Sequence, residues 1–167
     1  MLFLVGFMAS GKTTVGSQLA STLDRGFCDL DCKFEDMTQI TIPTFFEKFG
    51  EKAFRDKESE ILCDVINECS KKVFATGGGC VVREKNRVLL DGQHVIYLKV
   101  PFDVIYERLT TKNKRIRPLA NTTSKEELHS LYEERQKWYN SVSTHCIECE
   151  DLNSNEIVRL ILKELSH

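Results

Sequence analysis

The sequence predicts an α/β fold: a parallel sheet of five strands with helices covering both faces. Three observations lead there. Short runs suited to strands, at residues 2–5, 27–31, 72–76, 94–99 and 145–149, alternate with segments that pattern as helices. The first run, Leu-Phe-Leu-Val, is wholly apolar, which suits a strand buried on both faces. The turn that follows it is rich in glycine and opens a helix, the usual place for a ligand in such sheets.

That turn, Gly6-Phe7-Met8-Ala9-Ser10-Gly11-Lys12-Thr13, matches the spacing of a phosphate-binding P-loop. Two glycines let successive backbone N–H groups face one anion at the positive end of the helix over 14–23. Lys12 adds a point charge for the β- and γ-phosphates, and Thr13 offers a hydroxyl to a magnesium ion. Ala9 stands where glycine or serine is common. It fits without strain if its φ is negative and with strain if its φ is positive.

The second run ends in Asp29-Leu30-Asp31, where strand alternation would put both carboxylates on one side at the C-terminal sheet edge. An isolated pair of this kind is as readily a polar strand end capping the next helix. Beside a P-loop, one carboxylate can hold the water shell of magnesium while the other orients or deprotonates an acceptor hydroxyl. Thr41-Ile42-Pro43 signals a helix start and Gly50 a stop, with Phe45, Phe46, Phe49 and Phe54 spaced as core. A longer helix over 51–70 carries Arg55 and, three residues on, Glu58. The spacing allows an exposed ion pair worth about a few tenths of a kcal/mol, or a guanidinium held ready for a substrate carboxylate.

The third run ends in Gly77-Gly78-Gly79. Three glycines after a central strand cost backbone entropy and make sense where a ligand approaches the main chain. Helices are expected over 83–91 and 102–111. The basic stretch after them, about 112–124, is long enough to close as a lid that excludes water from phosphoryl transfer. Ser124-Lys125-Glu126-Glu127 is a capping box for a helix reaching about residue 141, and a final helix spans 155–165.

At 167 residues with a net charge of −2, the chain reads as one domain, 1–167, without the basic field that nucleic-acid binding requires. The apolar start is too short for a membrane span or a signal segment. Seven scattered cysteines suit a reducing, cytoplasmic setting. Cys146 and Cys149 lie three apart on an expected strand and so face opposite ways, a poor metal chelate.

Taken together, the P-loop, Asp29-Leu30-Asp31, Phe54-Arg55 with Glu58, Gly77-Gly78-Gly79, Arg117-Pro118-Leu119 and Arg135 in Tyr132-Glu133-Glu134-Arg135 resemble the shikimate kinase family along essentially the whole chain. The resemblance implies a fold like that of nucleoside monophosphate kinases, with sheet order 2-3-1-4-5 and a substrate-binding segment at about 31–60. It also implies transfer of the γ-phosphoryl group of ATP, with Mg2+, to the 3-hydroxyl of shikimate, a step of aromatic amino acid biosynthesis. Carried over residue by residue, Gly6, Ala9, Ser10, Gly11, Lys12, Thr13 and Thr14 would hold the nucleotide, with Arg117 arriving on the lid and Arg108 beside the adenine. Thr13 and Asp29 would serve the metal. Asp31 would be the base, helped in catalysis by Lys12 and Arg117. Arg55 and Arg135 would grip the acid, and Gly77, Gly78 and Gly79 would line it. A monomer with no nucleic-acid or membrane partner is expected. Two other readings stay open: a gluconate or nucleoside monophosphate kinase, and a non-catalytic nucleotide-binding module. A regulatory GTPase is disfavoured because no Asn-Lys-x-Asp string follows the fourth run.

Overall fold

The computed structural model describes residues 1–112 and 124–166. The strands are β1 (Leu2–Val5), β2 (Phe27–Asp29), β3 (Val73–Ala75), β4 (His94–Lys99) and β5 (His145–Glu148). They form a single parallel sheet in the order β2-β3-β1-β4-β5, as the family resemblance implied. The helices are α1 (Lys12–Thr22), α2 (Leu30–Thr38), α3 (Ile42–Asn67), α4 (Glu84–Leu90), α5 (Phe102–Lys112), α6 (Lys125–Val142) and α7 (Ser154–Glu164).

Burial explains why β1 is the centre. All four of its residues are buried, and Phe3 stacks on Phe74 of β3 at 5.0 Å between ring centroids. On the other side Val5 pairs in register with Tyr97, so side chains of the three middle strands fill the space under the helices. With the strands parallel, all their C-terminal ends lie along one edge. Gly6, Asp29 and Thr76 therefore end up as neighbours although they are far apart in sequence.

Two local expectations are corrected. The second strand stops at Asp29 rather than running to 31, because the Asp29 side chain caps α2: its Oδ1 accepts the Asp31 N–H at 3.0 Å. Asp31 thus sits in a first helical turn, and strand alternation is not what brings the carboxylates together. The expected break at Gly50 is real, with φ 76° and ψ 172°, yet helix resumes at once, so segments 42–49 and 51–67 form one kinked element. Of the phenylalanines expected as core there, Phe54 is buried and Phe45 and Phe46 are half-buried against Phe34 and Phe54. Phe45 and Phe54 each lie 4.9 Å from Phe34, while Phe49 at the kink is exposed. The capping box at Ser124 and Glu127 forms as expected, and a second one, between Asn153 and Glu156, starts α7. Cys146 is exposed and Cys149 buried, and among the described residues no three His, Cys, Asp or Glu side chains gather as a metal-binding group. No helix among them is long and apolar enough to cross a membrane.

Candidate active site

The P-loop connects β1 to α1 and wraps its own lysine. Lys12 Nζ donates to the carbonyls of Gly6 at 2.9 Å and Phe7 at 2.8 Å, and to Ser10 Oγ at 3.3 Å. Gly11, at φ 92°, caps the helix in a left-handed conformation. Ala9 also has a positive φ, 60°, so this position carries the strain that was one of its two expected outcomes. Its carbonyl is held by Arg108 Nη1 at 3.1 Å. Ala9, Gly11, Lys12, Thr13, Thr14 and Arg108 share a cavity of about 210 Å3 with Asp29, Asp31, Thr76 and Gly78. Arg108, expected against an adenine, therefore reaches the phosphate loop itself.

Thr13 Oγ1 donates to Asp29 Oδ2 at 2.6 Å. A hydroxyl and a carboxylate in contact at the mouth of a phosphate cavity are hard oxygen donors of the kind magnesium takes, so these residues fit the ion. Thr76, whose hydroxyl donates to the Leu4 carbonyl at 3.1 Å, completes the sheet edge. No pattern in the sequence marked it.

Next to the cavity is a buried charged cluster. Arg55 Nη1 donates to both oxygens of Glu58, at 3.1 and 2.9 Å, and the two residues are each only 8% exposed. The surface ion-pair reading of this spacing is therefore excluded. Burial works against the Arg55 charge, but Glu58 and Glu51 outweigh it and hold the guanidinium above its usual range. Burial pushes the Glu58 carboxyl up, against the pull of Arg55. On α6, Arg135 is buried as well. Its Nη1 donates to the Gly78 carbonyl at 3.2 Å, its guanidinium lies 5.7 Å from the centroid of the Phe7 ring, and its buried Nε has no partner among the described residues. Burial lowers its pKa, with a further push from Arg55. Glu58 pairs with Arg55, whereas Arg135, buried and repelled by Arg55, has no carboxylate bonded to it among the described residues and so suits an incoming anion.

The three glycines make room for this cluster. A Cβ on Gly77 would stand 2.7 Å from Asp31 Oδ1, one on Gly78 would meet the Met8 nitrogen at 3.0 Å, and one on Gly79 would fall 2.5 Å from both Arg55 Nη atoms. Asp31, Arg55, Gly77, Gly78, Gly79 and Arg135 thus converge beside the P-loop. A further residue belongs with them. Tyr139, one helical turn beyond Arg135, donates its hydroxyl to the Gly78 carbonyl at 2.5 Å. Its spacing of four from Arg135 was the only available signal. Residues 113–123, with Arg117 and most of the expected lid, lie outside the described residues.

The shikimate kinase family model matches residues 8–166. The chain belongs to the shikimate kinase family. It is 37% identical over 165 residues to the shikimate kinase of Enterococcus faecalis, covering 98% of this chain and 97% of that one. Its structure superposes on that of the shikimate kinase of Acinetobacter baumannii in complex with shikimate with a TM-score of 0.90, at 34% identity, covering 99% and 92% of the two chains. A gluconokinase from Sinorhizobium meliloti shares the fold at a TM-score of 0.59 and 19% identity, a likeness of architecture alone. Shikimate kinases are thus far nearer to this chain than the gluconate kinase reading that the sequence left open.

Proposed function

We propose that this protein transfers the γ-phosphoryl group of ATP to the 3-hydroxyl of shikimate. The observation that carries the reading is the pair of buried guanidinium groups, Arg55 and Arg135, beside Asp31 and the P-loop cavity. A small acid bearing hydroxyl groups suits that arrangement: its carboxylate offsets the two cations, and its hydroxyls meet Asp31 and the Gly78 and Gly79 backbone. A nucleotide acceptor would need room for a base, and a neutral sugar would leave buried Arg135 without a carboxylate to pair with.

In this reading the P-loop backbone and Lys12 hold the triphosphate, and Arg108 fixes the loop through the Ala9 carbonyl. Thr13 and Asp29 would hold magnesium, which neutralises phosphate charge when bound. Asp31 accepts the proton of the 3-hydroxyl as that oxygen bonds to the γ-phosphorus and the bond to the β–γ bridging oxygen breaks, releasing ADP. Arg55, locked by Glu58, and Arg135 orient the acid so that the hydroxyl lies in line. Arg117 would bring a further cation to the phosphates. We further propose that the protein acts as a cytoplasmic monomer.

A coupled ADP-release assay with shikimate, gluconate and nucleoside monophosphates tests the function. Turnover with shikimate alone is expected. Equal rates on all acceptors, or tight ATP binding with no turnover on any of them, would sink it.

A further inference from the structure

Tyr139 is one of the largest fully buried side chains of the protein, and its place is set from two sides. Its ring stacks on Tyr97 of the buried strand β4, 5.1 Å between centroids, and its hydroxyl donates to the Gly78 carbonyl. Arg135 donates to the same oxygen from the same face of α6. Burial also drives the phenol pKa well up, so the hydroxyl stays a proton donor.

The Gly78 carbonyl has a second role by covalent geometry. The described chain has no cis peptide bond, so the N–H of Gly79 lies in the same peptide plane as the Gly78 oxygen and points in the opposite direction. Two donors on that oxygen polarise the peptide and strengthen the N–H as a donor. Arg135, for its part, has little else to hold it. Its Nε lacks a partner among the described residues, and its guanidinium otherwise meets the face of Phe7 and the Tyr139 hydroxyl itself.

We propose that Tyr139 is a positioning residue of the acceptor site. Its hydroxyl fixes the Gly78 carbonyl, and through it both the Arg135 guanidinium and the Gly79 N–H that face the acid. Tyr139 never touches substrate. A tyrosine that merely fills core would contribute stability and leave substrate discrimination alone. The inference rests on the function proposed above and adds to it the reason why Arg135 is preorganised.

The test is Tyr139→Phe, which keeps the ring and its stack on Tyr97 and deletes one oxygen. Wild-type protein is assayed first, and absence of turnover with shikimate would overturn both the function and this inference. With wild-type turnover in hand, the variant should raise KM for shikimate about tenfold, the effect of one lost buried hydrogen bond, and leave KM for ATP within about twofold. In an Arg135→Lys background the same change should cost a clearly smaller factor, because the two residues act through one oxygen. An unaltered KM for shikimate, equal factors in both backgrounds, or parallel loss for both substrates would overturn the inference while leaving the function standing. If the variant melts too low to assay, 3-fluorotyrosine placed at position 139 alone keeps ring and hydroxyl while sharpening the donor. KM for shikimate should then fall, and no change in it would count against the proposal.

Discussion

The Arg55 guanidinium occupies the space where a Gly79 side chain would begin. A Cβ there would stand 2.5 Å from both Nη1 and Nη2, closer than nonbonded atoms can approach. Gly79→Ala should therefore displace Arg55 from Glu58 or push the turn away from it. The expected result is a KM for shikimate raised at least about tenfold with KM for ATP little changed, since the P-loop contacts of Gly78 are untouched. Steady-state kinetics on both substrates would check this, and a variant with wild-type KM for shikimate would show that Arg55 is free to move aside.

Removing the charged groups separately should split binding from chemistry. Arg55→Ala takes away a fork preorganised by two hydrogen bonds and should weaken shikimate binding about a hundredfold while leaving ATP binding nearly intact. Asp31→Asn should instead lower kcat by about 10²–10⁴-fold, the usual contribution of a positioned base. Calorimetric titration with each ligand and single-turnover kinetics separate the two. Parallel loss of both ligands in Arg55→Ala, or an undiminished kcat in Asp31→Asn, would contradict the assignment.

How much of this was legible in the sequence depends on the range of the interaction. The P-loop, the strands at 2–5 and 94–99 and the capping box at Ser124 are written in consecutive residues, and all form where the pattern puts them. Asp29 shows where local reading fails. Its side chain ends the strand by capping α2, and that competition between cap and strand is decided by a single hydrogen bond that periodicity does not reveal. For Arg55 and Glu58 the spacing was right, but whether the pair was a wet surface contact or a buried clamp depended on what folds over it, here Asp31 and the turn at 77–79, which are distant in sequence. Tyr139 and Thr76 were missed for the same reason: a carbonyl elsewhere in the fold gives each its meaning.

Ala9 offers a test of strain. At φ 60° an alanine costs roughly 1–2 kcal/mol relative to a right-handed conformation, and glycine would relieve this while raising the entropy of the unfolded chain by about 0.4–1 kcal/mol. Ala9→Gly should thus raise stability slightly, by up to about 1 kcal/mol, with the Arg108 bond to the residue 9 carbonyl retained. Urea denaturation would measure it. A clear drop in stability would mean that the methyl group, which packs against the core, is worth more than the strain it brings.

Glu58 makes a prediction about pH. Burial first, opposed by Arg55, leaves its carboxyl above the usual glutamate value of 4.5. Between that value and the folded one, the native state binds more protons than the unfolded chain, so stability from this group is full in acid and declines as pH rises. Glu58→Gln keeps an oxygen acceptor for Arg55 but cannot titrate. It should cost little in mild acid, where the wild-type carboxyl is itself protonated, and wild type's advantage over it should shrink further toward neutral pH. Paired denaturation curves from pH 4.5 to 8 would read the trend directly. A gap that instead widens with rising pH would mean that Arg55 pulls the Glu58 carboxyl below its ordinary value, so that the ion pair rather than burial governs this corner of the site.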